Sequence, residues 1–148
     1  MGTVALDDII VTPLKEMMTV GGNVLHAMKE GDSGYNGFGE AYFSWIDSGA
    51  IKGWKRHTRM IMNLVVPIGN VRFVFYDAQN EKSGQFRKYD IGVERFARIT
   101  VPPGLWFAFQ GLSEQKSLIL NISQIPHDPK ETERKSLSEI IFDWKMNS

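Results

Sequence analysis

Cysteine is absent from this chain of 148 residues, which excludes disulfides and thiolate-ligated metal and fits a reducing compartment. No uninterrupted apolar stretch approaches the length of a membrane span. The first residues, Met1 to Pro13, carry Asp7 and Asp8 and lack the basic start and continuous apolar core of a signal peptide. A soluble, cytoplasmic protein is expected. Charge of one sign is missing too: 17 basic and 17 acidic side chains cancel, so no global field favours nucleic acid or an anionic membrane. Any anion must be bound locally. Internal repeats, low-complexity segments and long helical patterns are lacking as well.

Turn chemistry is what the chain has in quantity. Gly21-Gly22, Asn36-Gly37, Pro102-Pro103-Gly104 and clusters at 31–34, 47–49, 67–69 and 80–84 separate short runs rich in Val, Ile, Phe, Tyr and Trp. The spacing predicts strands at 24–28, 40–46, 50–57, 59–67, 71–77, 86–91, 97–101, 106–111 and 117–123. That series reads as an all-β chain folded as a double-sheet jelly roll or barrel, an arrangement that limits exposed strand edges. With 43% hydrophobic residues, one domain over 1–148 can bury its own core, residues 1–19 forming an N-terminal arm and 130–148 a C-terminal tail. Only 131–141, with mixed charges at i, i+4 spacing, offers a helical alternative.

The segment Ile51-Lys-Gly-Trp-Lys-Arg-His-Thr-Arg-Met60 puts cations on a strand, where burial is costly unless a partner or an anionic ligand compensates them. Alternation places Lys55, His57 and Arg59 on one face and Trp54, Arg56 and Thr58 on the other. Facing inward, the first three would line a cavity. Facing outward they would be a solvated strand face, the commoner use of such a pattern, and His57 could equally be a satisfied core histidine. The apolar flank 61–66 suits a strand covered on both faces. Further on, Pro102-Pro103-Gly104 leads tightly into a strand bearing Trp106, Phe107 and Phe109, rings able to stack a base or a sugar face or simply to fill the core.

Ile51-Lys-Gly-Trp, Gly69-x-Val-x-Phe-Val-x-x-Asp77, Val101-Pro-Pro-Gly104, Phe109-x-Gly-Leu-Ser113 and Pro126-His-Asp-Pro129 resemble, in order and approximate spacing, the dTDP-4-dehydrorhamnose 3,5-epimerase family and its sugar-isomerase relatives. The resemblance runs from about Val20 to Trp144. It implies a cupin-type jelly-roll β-barrel, a homodimer, and action on a nucleotide-linked 4-keto sugar.

The departures from that family define the chemistry in question. The family's Arg-Gly-Leu-His motif ends in the catalytic base, whereas the matching tetrapeptide here is Lys52-Gly53-Trp54-Lys55. The family's tyrosine corresponds to Asn121, which cannot replace a phenol as an acid. Its histidine-orienting carboxylate falls at Lys135-Ser-Leu-Ser138, where no acid stands. The resemblance to the sugar 3,4-ketoisomerases, with their Gly-Phe-His-x-His strand, turns that pair into Lys55 and His57. His57 is thus the first candidate for catalysis, with Lys55 beside it. A lysine could serve as base if burial and the charges of Arg56, His57 or Arg59 lowered its pKa.

Substrate contacts are expected from Lys52, Arg59 and Arg72 toward a diphosphate, from Trp106 or Phe109 toward base or sugar, and from Asn121. Arg72 could equally point outward and pair with Asp77 or Glu94. Tyr35, Glu40 and Tyr42 add polar groups with no assigned role. No metal or other cofactor is expected, because cupin metal sites use His-x-His, a carboxylate and a later histidine; Phe107 stands near the last position, and His26 and His127 lie elsewhere. Three readings follow. The first is an isomerase or epimerase-like enzyme; the second, a catalytically silent cupin that binds a nucleotide sugar or another anionic carbohydrate; the third, a structural partner.

Overall fold

Residues 4–78 and 85–145 are described by a computed structural model, so the turn expected at 80–84 lies outside the described residues. The strands are β1 (Ile10–Pro13), β2 (Glu16–Met17), β3 (Val24–Leu25), β4 (Glu40–Ile46), β5 (Ile51–His57), β6 (Met62–Ile68), β7 (Asn70–Tyr76), β8 (Phe86–Gly92), β9 (Ala97–Val101), β10 (Trp106–Gly111), β11 (Ser117–Ser123) and β12 (Thr132–Arg134). One sheet has the order β1-β9-β6-β11-β4, the facing sheet β12-β5-β10-β7-β8, and β2-β3 is a separate hairpin. The long strands pair antiparallel throughout, as a jelly roll requires. The chain is all-β, a cupin-type jelly roll.

The space between the sheets is filled from both sides. Ile46, Met62, Leu64, Val66, Ile99 and Ile119 come from the first sheet, and Val71, Phe73, Phe75, Ile91 and Phe107 from the second. Each such side chain contributes about 1.5–3 kcal/mol on full burial. β11 is instructive because its inward residues are Ser117, Ile119, Asn121 and Ser123, while Leu118, Leu120 and Ile122 face outward and stay half-buried. Of these inward polar groups, Asn121 lines a cavity between the sheets.

β6 and β7 are covered on both faces, which is why they read as nearly continuous apolar runs. Behind the second sheet, Trp54, Val74, Trp106 and Ala108 pack with Ile140, bordered by Tyr76, Phe86, Phe142 and Trp144. The C-terminal segment is tied there by Trp54 Nε1 donating to the Ile140 carbonyl at 3.0 Å. On the other side, Arg98 is 1% exposed and donates to the carbonyls of Ala27 and Ser33, both at 2.7 Å, holding the segment 27–33 on the first sheet. Gly34 allows this close seat: its φ is +87°, and a Cβ there would lie 2.2 Å from Thr100 Oγ1.

Several sequence expectations change, among them the strand at 24–28, which is Val24–Leu25 only. Residues 131–141 form no helix; Pro129–Glu131 is a single 3-10 turn capped by Asp128, and β12 follows it onto the edge of β5. β6 begins at Met62 rather than 59, because the amides of Thr58, Arg59 and Met60 turn toward the Glu131 carboxylate instead of a neighbouring strand. Strands β1 and β2 lie in what sequence spacing left as an arm. No helix among the described residues is long and apolar enough to cross a membrane.

Replacing Trp54 with Phe removes the donor to Ile140 and leaves a small void behind β5. We expect a loss of about 1–3 kcal/mol in urea unfolding, with an unchanged m-value, because the covering segment stays otherwise attached.

Candidate functional site

β5 carries the cationic run into the roll, and its alternation decides which groups reach the cavity. Trp54 and Arg56 point outward, Arg56 lying 4.7 Å over the Trp106 ring and pairing with Glu133 at 2.8 Å. Lys55 and His57 point inward. Together with Lys52, Lys55 lines a cavity of about 130 Å³ whose other walls include Tyr42, Asn121, Leu64, Phe107 and Phe109. Tyr42 and Asn121 belong to one sheet and Lys55, Phe107 and Phe109 to the other, so two sets of groups face each other across the space. A larger cavity of about 290 Å³ lies outside the first sheet, against Lys15, His26, Lys29 and Arg98, away from these strands.

His57 is buried and stacks on Phe107, ring centroids 6.0 Å apart. Its Nδ1 is hydrogen-bonded to Glu131 Oε1, while Nε2 is buried with no partner. Glu131 also accepts from the amides of Arg59 at 3.1 Å and Met60 at 3.0 Å. Burial pushes the Glu131 carboxyl up, but the hydrogen bonds from His57 and these amides outweigh it and hold the group below its usual range. Burial pushes the His57 imidazole down, the bond and charge of Glu131 pull it back, and Lys55 and Arg134 lower it further; the net shift is downward. A neutral imidazole donating from Nδ1 to a carboxylate satisfies both directions, and it leaves Nε2 with a free lone pair.

Lys55 sits in a different electrostatic position. Its cross-strand partner on β12 is Arg134, a like charge where an opposite one would stabilise the pair. Burial first, then Arg134 and Lys52, lower the Lys55 ammonium pKa, against a raising influence from Glu131. Its Nζ lies 5.9 Å from the Phe107 centroid. Tyr42 shifts upward through burial and the charge of Glu40, partly offset by Arg134.

Of the residues singled out by sequence, Lys52, Lys55, Phe109 and Asn121 meet at this cavity, with His57 adjoining through Phe107. Lys52 also donates to the Trp45 carbonyl at 2.8 Å, and Asn121 Nδ2 to Ser44 Oγ at 3.1 Å. Three others are elsewhere. Arg59 is not the third member of the inward set: β5 ends at His57, and the Arg59 guanidinium, 59% exposed, pairs with Asp128 at 3.1 Å. Arg72 is on the outer face of β7 and holds Asp90 through Nε at 2.8 Å and Nη2 at 2.9 Å, so Asp90 takes the place expected of Asp77 or Glu94. Trp106 also faces outward, with Arg56 and Lys135 over its ring.

The structure adds groups that sequence reasoning missed. The carboxylate orienting the histidine was expected at 135–138, where none stands; Glu131 supplies it. Its available signal was Asp128-Pro129, which caps the turn that delivers Glu131. Arg134 carried no signal beyond its type, and Tyr42 stood among the polar groups without an assigned role. Among the described residues no three His, Cys, Asp or Glu side chains converge to hold a metal ion.

The fold is that of an epimerase/ketoisomerase-like cupin. The chain is similar to a dTDP sugar isomerase from Desulfovibrio desulfuricans G20, with 28% identity over 96% of this chain and 94% of that one and a TM-score of 0.88. It shares its fold with the dTDP-4-dehydrorhamnose 3,5-epimerase from Sulfolobus tokodaii, at 19% identity, covering 98% and 85% with a TM-score of 0.80. The sugar 3,4-ketoisomerase QdtA from Thermoanaerobacterium thermosaccharolyticum, solved in complex with TDP, matches at 13% identity, 92% and 94% coverage and a TM-score of 0.74. No family model matches the sequence, and no curated protein is significantly similar to it.

Two outcomes test the pair. Glu131→Ala leaves a buried imidazole and the Arg59 and Met60 amides without their carboxylate acceptor, while the Thr58 amide keeps the residue-131 carbonyl, and should cost about 3–5 kcal/mol in denaturant unfolding. Because the His57 pKa is lower in the folded state, the unfolded chain binds more protons as pH falls through about 6.5, so stability should decline there. His57→Asn should flatten that part of a stability-versus-pH curve, leaving the acid loss due to Glu131 at lower pH.

Proposed function

We propose that the cavity receives the sugar of a nucleotide-linked 4-keto deoxysugar, a dTDP-sugar in the simplest case, and that the chain is an isomerase that moves a proton on a carbon next to the ketone. One observation carries this reading: an inward lysine, set opposite a second cation, beside a histidine whose Nδ1 is engaged by a buried carboxylate. Like charges facing each other in this way suit an anionic ligand. At about 130 Å³ the cavity is smaller than the ~300–1,000 Å³ that encloses a drug-sized ligand, so it suits the sugar alone. The diphosphate and base then lie along the mouth, within reach of Lys52 and Arg134. The solved relatives described above, dTDP-sugar isomerases and epimerases, support the same substrate class.

His57 Nε2 is the base in this reading, its other nitrogen committed to Glu131. Tyr42, on the facing sheet, is the acid: its upward-shifted phenol keeps its proton at neutral pH. Lys55 acts at the carbonyl, Asn121 orients the sugar, and Phe109 packs against it. Arg59, Arg72 and Trp106, away from the cavity, are assigned no contact with substrate. A silent binder is the second reading, favoured by Lys55 in the base position and Asn121 in the tyrosine position of the resembling family. A homodimer is proposed as well, since Phe43 and Trp45 on the edge strand β4 are 62% and 44% exposed.

In deuterated water, a 4-keto dTDP-sugar should acquire deuterium next to the carbonyl. His57→Asn should abolish this and Tyr42→Phe should slow it about 100-fold or more, read by mass spectrometry. dTDP at 100 times its Kd should stabilise the fold by about 2.7 kcal/mol. Stabilisation without label would move the assignment to the silent binder.

A further inference from the structure

We propose that Lys55 acts covalently, its amine condensing with the 4-keto group of the bound sugar, and that the chain is therefore an epimerase rather than an enzyme that moves the ketone. This inference rests on the reading of the cavity given above. It starts from what surrounds the amine. Among the described residues the Lys55 amine donates no hydrogen bond and makes no ion pair, although ten other residues wall the cavity it lines. Its Nζ faces the Phe107 ring, and Met62, Leu64, Phe73 and Ile119 make the surroundings apolar. An amine desolvated in this way and set beside another cation is activated as a nucleophile. Burial and the charges of Arg134 and Lys52 favour its neutral form, in agreement with that geometry.

The chemistry balances without any further reagent. The Nζ lone pair adds to C4, and the carbonyl oxygen takes up a proton to give a carbinolamine. Protonated from solvent, that oxygen leaves as water, and a C4=N iminium remains; the same proton is given back when water later releases Nζ. The cation withdraws electrons from both neighbouring carbons; His57 Nε2 takes a proton from one of them, and the C–H electron pair becomes the C=C bond of an enamine. A proton returned to the same carbon from the opposite sheet, by Tyr42, inverts that centre. Water then adds to C4 and releases Nζ, so one water leaves and one enters. The iminium does the work of an acid at the carbonyl, which accounts for Asn121 where a phenol would be expected.

Ketone migration fails on this route for a definite reason. If the proton returned to C4 instead, the C3 hydroxyl would become the ketone, and C4 would keep the nitrogen as a secondary amine that water does not cleave. The sugar would stay attached to Lys55. Covalent attachment and 3,4-ketone transfer therefore exclude each other as turnover chemistry.

The test uses the full chain with TDP-4-keto-6-deoxyglucose and sodium cyanoborohydride at neutral pH, followed by intact-mass measurement and peptide mapping, alongside wash-in of deuterium and of ¹⁸O from labelled water. We expect a reduced adduct on Lys55 that excess dTDP suppresses. ¹⁸O should enter at C4 above the spontaneous rate, and the C3 or C5 epimer should be the product. Lys55→Arg keeps a long nitrogen-bearing side chain but cannot form the imine; it should lose the adduct and slow deuterium wash-in about 100-fold or more, with an unchanged dTDP-induced Tm shift. Deuterium wash-in with neither adduct nor ¹⁸O would overturn the covalent role while leaving the isomerase reading intact. A 3-keto product would overturn it equally. Absence of deuterium, adduct and any dTDP-induced Tm shift would remove both.

Discussion

A carboxylate buried to 2% exposure must find donors or lose its charge, and Glu131 finds them in three places at once. It accepts from His57 Nδ1, from the amides of Thr58, Arg59 and Met60, and from Thr132 Oγ1. The amides end β5 and turn the chain toward β6; the imidazole bond sets the tautomer; the neighbouring residues start β12. Shape at the strand end and proton placement at the site therefore have one cause. Without this anion, the buried His57 ring would keep only the 3.4 Å contact of its Nδ1 with Thr132 Oγ1, and Lys55 would lose the one negative charge that offsets Arg134.

β5 also separates two kinds of chemistry by the pleat alone. Trp54 and Arg56 join an aromatic and cationic layer sealed by the C-terminal segment, where Arg56 and Lys135 lie over Trp106. Lys55 and His57 face the interior. The outer layer fixes the strand's height and twist, so the inner side chains emerge at defined positions without being packed by the core themselves. Rigidity is supplied from behind, and the cavity side is left free for a ligand.

How much of this was readable from sequence differs by element. β4, β9, β10 and β11 begin and end where turn residues and alternating side chains placed them: Gly39 and Asp47 bound β4, and Pro102-Pro103-Gly104 separates β9 from β10. β1, β2 and β12 were not readable: two to four residues carry too little period, and their pairing is decided by distant partners. At the site, alternation brought Lys55 and His57 to one face but failed at Arg59, since the strand had already ended. Trp106 and Phe109 show the same limit. Aromatic type says nothing about face, and an aromatic layer on the outer side was invisible until the C-terminal segment was seen lying there. Glu131 was missed because its role comes from a contact across 74 residues of sequence.

That separation sets an order of events during folding. Contacts between β5, β10 and β7 are available once residue 111 exists, and the last cavity walls, Ile119 and Asn121, arrive with β11. The imidazole cannot choose its tautomer until residue 131 arrives, and closing so long a segment carries an entropic cost that local pairing does not. A nascent or truncated chain lacking that last stretch would hold a roll with a poorly ordered rim, its lysine in place but its histidine unguided. Competence for proton transfer would then appear as a late, separate step after the barrel itself has formed.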